Sequence, residues 1–230
     1  MKNLIIFTLI LLSSLTTLAE GQVKSKGIKV KSGHHFNVMV VNKEAMKFGV
    51  STRKPKNCDF YINSNFFTKG NDPIGSVVIN GKKISNKVKG GGYFYVKNGK
   101  PFVKAKSCPG KVEHSSQSIL WAIDNGVKNK RLFKTASGND EVYRTIIGEN
   151  SKGDIMIISS TRIGLVSIKE IVDFAEEQGM VEGILLDGGS SVDYKMNDGK
   201  NEITLKSVPS GFKSLLDISE PTTYIYGNFN

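Results

Sequence analysis

The sequence predicts a single α+β domain with a mixed, largely antiparallel sheet, several hairpins and at least one crossover helix. Three observations lead to this prediction. Short apolar runs of strand length recur along the chain, Asn-Gly dipeptides separate pairs of these runs, and one capped amphipathic segment interrupts them. The chain has 230 residues, which is enough for one large domain with a substantial core.

The N-terminus has the features of a secretory signal peptide. Lys2 supplies a positive charge, a short apolar run follows, and Ala19 provides a small residue for cleavage. An uncleaved anchor is the alternative, but the apolar run is short for a membrane span and no stop-transfer pattern follows. We therefore expect a secreted or periplasmic protein with no transmembrane span after cleavage. The predicted segments are a signal peptide at 1–19, a flexible lead-in at 20–35 and the domain at 36–230.

Charge and cysteine content limit the possible partners. The formal net charge of +11 comes mainly from lysine and suits an anionic partner such as a phosphate or an acidic glycan. Solubility is the alternative explanation. No aromatic platform or motif indicates a nucleic-acid partner. Cys58 and Cys108 would be able to form a disulfide after export, with two buried thiols as the alternative. Neither has the spacing of a zinc ligand.

The elements follow in order along the chain. A helix from about Ile168 to Gln178 begins with a Ser167–Glu170 capping box and leads directly into a short apolar run. This order predicts parallel pairing between residues 155–158 and 183–186. Periodicity leaves residues 115–123 open between helix and strand. Strands are predicted near residues 36–41, 60–62, 76–79, 93–96, 102–103, 143–148, 155–158, 183–186 and 222–226.

The most informative stretch is Gly183–Ser191, where an apolar run ends in Asp187 and is followed by Gly188, Gly189, Ser190 and Ser191. Glycine N–H groups in such a turn are able to converge on an anion. An isolated Asp-Gly is more often only a tight turn. Its position at the end of a strand, after a predicted crossover helix, favours a binding or catalytic site.

Three further polar residues stand beside apolar runs. Arg144 lies within a predicted strand and needs a partner or a cleft, because an unpaired buried charge is costly. A structural ion pair is the alternative for Arg144. Asn65 precedes two phenylalanines, and its amide either shapes a turn or faces a cleft backed by those rings. Gln117 follows two serines at the start of an apolar run.

The order of these pieces resembles the phosphodiester glycosidase domain family, which includes the catalytic domain of the lysosomal uncovering enzyme and many exported bacterial proteins. The resemblance covers roughly residues 36–226. Members of the family often have Gly-Pro after the Gln-Ser pair, where this chain has Ile119 and Leu120. The motifs that carry the resemblance, in order, are Asn-x-Asn-Phe-Phe, Pro-x-Gly, Gly-x-Phe-x-Val-x-Asn-Gly, Gln-Ser, Arg-Thr-x-x-Gly and Leu-Asp-Gly-Gly-Ser-Ser.

The resemblance implies a hydrolase that releases a sugar from a sugar-1-phosphodiester, the phosphate staying on its carrier. Asp187 would act as base, nucleophile or oxocarbenium stabiliser, Arg144 would bind the phosphodiester, and Asn65 would orient the sugar. Substrate-binding residues would be Gln117, Gly188, Gly189, Ser190 and Ser191.

No second catalytic acid is identified, and Asp72, Glu113, Asp140 and Asp193 are the loose candidates. No cofactor is required and no dedicated metal site is visible, although Asp187 and a phosphate would be able to share a divalent cation. The main alternative is a non-catalytic carbohydrate- or phosphate-binding envelope protein. A lysine-rich surface adhesion protein is a weaker alternative, because it leaves Asp187 and Arg144 unexplained.

Overall fold

A computed structural model describes residues 27–106, 110–208 and 220–230, which form three antiparallel β-sheets and few helices. The strands are β1 (Ile28–Ser32), β2 (Phe36–Val41), β3 (Met46–Ser51), β4 (Phe60–Asn63), β5 (Val77–Ile79), β6 (Lys82–Ser85), β7 (Gly92–Lys97), β8 (Lys100–Lys104), β9 (His114–Ser118), β10 (Leu120–Asp124), β11 (Val127–Lys128), β12 (Thr145–Asn150), β13 (Ile155–Ser160), β14 (Met180–Leu185), β15 (Asp193–Asn197), β16 (Glu202–Lys206) and β17 (Tyr224–Phe229). The α-helices are α1 (Ala136–Asn139) and α2 (Ile168–Glu177), and Leu132–Lys134 and Gly189–Ser191 are 3₁₀ turns. The fold is therefore mostly β.

The three sheets enclose a shared core. The large sheet has the order β1-β2-β13-β12-β14-β10-β11, the end sheet has the order β16-β15-β4-β17-β3, and the hairpin sheet has the order β6-β5-β9-β7-β8. Ile157 and Ile184 from the large sheet pack in one cluster with Phe60 and Ile62 from the end sheet and Phe94 from the hairpin sheet. Because these side chains are fully buried, the core fixes how the strand ends of the three sheets meet.

Helix α2 covers the outer face of the large sheet, and the prediction of this helix is confirmed. Its Ser167–Glu170 capping box is present, with both reciprocal hydrogen bonds. The buried stripe of the helix packs against Ile146 and Ile158 of the large sheet. The stripe consists of Ile168, Ile171, Val172 and Ala175.

The predicted parallel pairing of residues 155–158 with 183–186 is wrong. Strand β12 lies between β13 and β14 and is antiparallel to both, with Ile147 opposite Ile157 on one side and opposite Ile184 on the other. Helix α2 therefore connects two strands that do not pair. The apolar runs misled the prediction because both faces of this sheet are covered, which removes the alternation that marks most antiparallel strands.

The hairpin signals are confirmed. Asn80-Gly81 joins β5 to β6 and Asn98-Gly99 joins β7 to β8. The stretch left open between helix and strand, residues 115–123, forms two strands of different sheets. Strand β9 belongs to the hairpin sheet and β10 to the large sheet, so the chain passes between sheets at Ile119.

Part of the predicted flexible lead-in is a strand. β1 pairs with β2 along its full length, and Ile28 is buried. Its lysines alternate with Ile28 and Val30, a pattern of an edge strand with one solvated face. The predicted signal peptide and Cys108 lie outside the described residues, so cleavage and the disulfide with the buried Cys58 stay predictions. Across the described ranges, no helix is long and apolar enough to cross a membrane.

Candidate active site

The ends of three strands meet around Asp187. The N–H of Asp187, just after β14, donates to the carbonyl of Ser64, just after β4, at 3.0 Å. The N–H of Gly189 donates to the carbonyl of Tyr143, just before β12, at 2.8 Å. These bonds place Asp187 and the glycine turn, residues 188–191, beside the segment that carries Arg144.

Asn63, the first residue of the Asn-x-Asn-Phe-Phe motif, was not predicted as a site residue, yet it holds the backbone on both sides of this junction. Its Nδ2 donates to the Asp187 carbonyl at 2.8 Å, and its Oδ1 accepts from the N–H of Asp193 at 3.0 Å. The side chain is buried. The sequence does show an asparagine at the end of an apolar strand. Asn65, two residues later, fits the same pattern, so the pattern alone does not distinguish the two.

The glycine turn needs glycine at position 188. A Cβ added to Gly188 would lie 2.8 Å from the Tyr143 carbonyl oxygen, closer than real Cβ contacts. Two N–H groups of the turn are used internally, because Gly189 donates to Tyr143 and Ser191 donates to the Gly188 carbonyl. The N–H groups of Gly188 and Ser190 are candidates for binding an anion.

A cavity of about 280 Å³ opens beside Asp187 and is called the polar cavity here. Asp187, Ser190 and Ser191 form one wall. The segment Phe66–Lys69 also lines the cavity, and its side chains carry two aromatic rings, a hydroxyl and an ammonium group. Lys69 is a site residue that sequence reasoning missed, since an isolated lysine in a lysine-rich chain gives no signal.

Asn65 lies beneath the site in the interior. Its Nδ2 donates to the carbonyls of Gln117 at 2.7 Å and Ile74 at 3.2 Å. Its Oδ1 accepts from the hydroxyls of Ser116 and Thr223. The structure thus does not bring this amide to a cleft. The two phenylalanines that follow it line the polar cavity, and Asn65 faces inward.

Gln117 is also buried, and its side-chain amide bonds only to backbone groups of this protein in the described residues. It is 0% exposed, and its Oε1 accepts from the backbone N–H groups of Ser76 at 3.0 Å and Val88 at 3.1 Å. Its Nε2 donates to the carbonyls of Val88 and Gly90, both at 2.8 Å. All four hydrogen bonds fix loops of the hairpin sheet. Gln117 and Asn65 form one buried network, which supports the site from below.

Arg144 is half-buried beside the glycine turn. Its Nη2 donates to the carbonyls of Ser137 at 2.6 Å and Asp140 at 3.0 Å. Its Nε is buried and has no hydrogen-bond partner among the described residues. Burial lowers the pKa of the guanidinium, and the charge of Asp140 partly offsets this effect. One nitrogen thus anchors the α1 loop, while Nε stands as an unsatisfied donor near Gly188.

The loose candidates for a second acid lie elsewhere or are already paired. Asp193 is buried in an ion pair with Lys54 at 2.8 Å. Burial acts to lower the pKa of Lys54, but the hydrogen bonds and charges of Asp193 and Tyr61 together outweigh it and raise that pKa. Glu113 accepts from the N–H of Gly99 at 3.0 Å.

Asp72 and Asp140 are exposed. Asp187 is the one carboxylate among the described residues that line the polar cavity. Within the described part of the chain, no group of three or more His, Cys, Asp or Glu side chains is placed to hold a metal ion.

Comparison with solved structures identifies proteins of the same fold. The catalytic domain of zebrafish N-acetylglucosamine-1-phosphodiester alpha-N-acetylglucosaminidase, auto-inhibited by its pro-peptide, matches with a TM-score of 0.63 and 13% identity, covering 88% of this chain and 82% of that one. A hypothetical protein from Synechocystis matches with a TM-score of 0.63 and 12% identity, covering 88% and 61%. A protein from Burkholderia pseudomallei K96243, named as one expected to be exported, matches with a TM-score of 0.55 and 10% identity, covering 84% and 73%.

Sequence comparison gives the family. None of the curated protein sequences matches this chain. The family model described as phosphodiester glycosidase matches residues 56–212, more than half of the chain, and this range includes Asn65, Gln117, Arg144 and the whole glycine turn. The chain therefore belongs to the phosphodiester glycosidase family.

Proposed function

We propose that this protein is an exported hydrolase that cleaves a sugar-1-phosphodiester at the polar cavity. In the reaction, water adds to the anomeric carbon and the bond between that carbon and the phosphate oxygen breaks. The products are a free sugar and a phosphomonoester that stays on its carrier. The observation that carries the proposal is the meeting of Asp187, Ser190, Lys69 and aromatic rings in one cavity at the strand ends.

Asp187 is the proposed catalytic carboxylate. Its backbone is held on both sides, by Ser64 through the N–H and by Asn63 through the carbonyl. A carboxylate fixed in this way is suited to act on an anomeric carbon as base, nucleophile or stabiliser of positive charge. A phosphate is a fair leaving group, so the reaction makes a smaller demand on a general acid than an ordinary glycoside does.

The phosphodiester anion is proposed to bind at the glycine turn. Arg144 lies beside the turn with a buried Nε that has no partner among the described residues, and a small shift of the turn would bring this cationic donor to a phosphate oxygen. Ser190 and the N–H groups of Gly188 and Ser190 would complete the anion site. Lys69, which also lines the polar cavity, adds a second positive charge.

The sugar is proposed to lie against the Phe66–Lys69 wall. Aromatic rings present broad apolar faces that suit the apolar side of a sugar ring, while Ser191 and Thr68 offer hydroxyl groups. Asn65 and Gln117 are proposed as positioning residues rather than as groups that touch the substrate. Their role would be to fix the segment that leads into this wall.

The non-catalytic alternative has one observation in its favour. Asp187 stands without a second carboxylate in the described lining of the polar cavity, whereas most glycosidases use two. A protein that binds a sugar phosphate without hydrolysing it would need the same anion site and the same aromatic wall. Turnover is therefore the property that separates the two functions.

The test is hydrolysis of the methyl diester of N-acetylglucosamine 1-phosphate, and of diesters of other sugars, in water enriched in heavy oxygen. Cleavage at the anomeric carbon leaves the released methyl phosphate unlabelled, which is the expected result. Label in the methyl phosphate would mean attack at phosphorus and would overturn the proposal. Binding without any turnover across the diesters would establish the non-catalytic alternative. A parallel reaction with a chelator tests for a divalent cation.

A further inference from the structure

A second cavity, of about 250 Å³, is lined in part by Gly189 and Ser190 of the glycine turn and is called the apolar cavity here. Val142, Tyr143, Leu165 and Val208 supply its apolar lining. Ser190 lines both the apolar cavity and the polar cavity. The two cavities therefore adjoin at the residue proposed to contact the phosphate.

Hydrogen bonds fix the wall of the apolar cavity. Val142 and Val166 exchange two backbone hydrogen bonds, at 3.2 and 3.0 Å, which join the segment before β12 to the loop before α2. The Tyr143 hydroxyl donates to the Arg162 carbonyl at 2.9 Å. Because this bond occupies the hydroxyl, the tyrosine contributes its apolar ring to the cavity.

The same loop exposes two large aliphatic side chains. Ile163 is 64% exposed and Leu165 is 49% exposed. Gly164 between them lies against the His35 backbone, where an added Cβ would come within 2.1 Å of the carbonyl oxygen. The close approach holds the loop in a position that leaves its neighbours in solvent. Exposed aliphatic groups clustered beside a binding site commonly mark an apolar ligand.

We propose that the apolar cavity binds an alkyl chain on the carrier side of the phosphodiester, so that the substrate is an amphiphile such as a sugar phosphate ester of a lipid-like alcohol. The inference rests on the proposed function, because it assigns the phosphate to Ser190 and the sugar to the polar cavity. The alkyl group then extends past Ser190 toward Leu165 and Val142. Removing its methylenes from water would strengthen binding to the transition state and the ground state.

The test compares two diesters of the same sugar phosphate, one with a methyl and one with a hexyl alcohol, both below the concentration at which they form micelles. We expect kcat/KM to be at least about tenfold higher for the hexyl diester. Leu165→Ser should reduce this preference several-fold. Val127→Ser is the matched control, since Val127 is 66% exposed in the β10–β11 hairpin, at the opposite end of the large sheet from Asp187.

A preference for the hexyl diester that Leu165→Ser leaves unchanged would overturn the proposal, as would equal kcat/KM values for the two diesters in the wild-type protein. A direct binding measurement separates this inference from the proposed function. If neither diester is hydrolysed, the proposed function fails, and calorimetry with hexyl phosphate and methyl phosphate still tests the apolar cavity. Tighter binding of hexyl phosphate that Leu165→Ser weakens would support the cavity assignment, and equal binding would refute it.

Discussion

Two polar regions of this protein contain similar residues, but they differ in whether the polar groups bond within the chain or line a cavity. The buried network around Asn65 and Gln117 uses its side-chain amides on groups within the chain. The strand-end site around Asp187 opens onto a cavity, and beside it Arg144 keeps an unsatisfied Nε. Both regions lie at junctions between sheets, and both contain residues that the family motifs single out.

The contrast indicates which motif residues act on stability and which act on chemistry. A buried amide with all of its hydrogen bonds made inside the protein cannot bind a substrate without breaking them. A half-buried carboxylate at a cavity wall is able to meet a substrate while its backbone stays fixed. We therefore propose that the motif series contains a supporting layer, Asn65 and Gln117, and a reacting layer, Asp187, Arg144 and the glycine turn. Variants in the two layers should then fail in different ways.

Replacing Asn65 should give the largest effect on stability. Asn65→Ala removes buried hydrogen bonds to the hydroxyls of Ser116 and Thr223 and to two carbonyls in the interior. We expect a loss of roughly 3 kcal/mol or more in the free energy of unfolding, because each unsatisfied buried group is costly. Chemical denaturation measures this free energy, and Asn86→Ala, at an exposed asparagine, is the control. A loss as small as that of the control would contradict the structural role.

Replacing Gln117 should act in the same way with a smaller effect. Gln117→Ala removes four hydrogen bonds to backbone groups of Ser76, Val88 and Gly90, and we expect a loss of about 2 kcal/mol. The KM of the folded fraction should change less than kcat, since Gln117 does not touch the substrate in this account. A large rise in KM with unchanged stability would instead place the side chain in the binding site.

Adding a methyl group at Gly188 should disturb the reacting layer. In Gly188→Ala the new Cβ meets the Tyr143 carbonyl, so the turn must shift away from β12 and from Arg144. We expect kcat/KM to fall by roughly tenfold to a hundredfold, because small displacements of positioned groups lower rates strongly. The loss in stability should stay near about 1 kcal/mol. Steady-state kinetics and thermal unfolding of the same preparation check this, and full activity would show that the turn position does not matter.

The smallest expected effect is a pH dependence at His114, on the same strand as Gln117. Burial lowers the pKa of His114 below the ordinary value of 6.5, and its Nδ1 accepts from the N–H of Val50 at 3.4 Å. The unfolded chain therefore binds a proton more readily than the folded one, and stability falls as the pH drops through this range. In His114→Gln the free energy of unfolding should depend less on pH between about pH 7 and about pH 5. An unchanged slope would contradict this account.

Much of the fold could be predicted from local signals. Helix α2 follows from its capping box and its apolar stripe, and the Asn-Gly hairpins follow from the turn dipeptide. Strand pairing could not be read in the same way. β12, β13 and β14 each contain a short apolar run, so only the three-dimensional order shows that β12 lies between the other two. The edge strand β1 was missed because its lysines resemble a solvated tail until the alternation is counted.

The candidate site was predictable only in part. Asp187, the glycine turn and Arg144 could be placed together because a strand end, a close turn and a strand arginine each carry a physical signal. The side-chain orientation of Asn65 could not be predicted, since an asparagine after a strand faces either the interior or a cleft. Lys69 and Asn63 depend on neighbours that are distant in sequence, and no local pattern shows those neighbours.

The most direct measurement is the turnover of Asp187→Asn on the methyl diester of N-acetylglucosamine 1-phosphate, together with its unfolding free energy. The control is Glu177→Gln, which removes the charge of an exposed carboxylate at the end of α2. We predict that Asp187→Asn lowers kcat by about a thousandfold or more and changes stability by less than about 1 kcal/mol. Wild-type turnover in Asp187→Asn would contradict the assignment of Asp187 as the catalytic carboxylate.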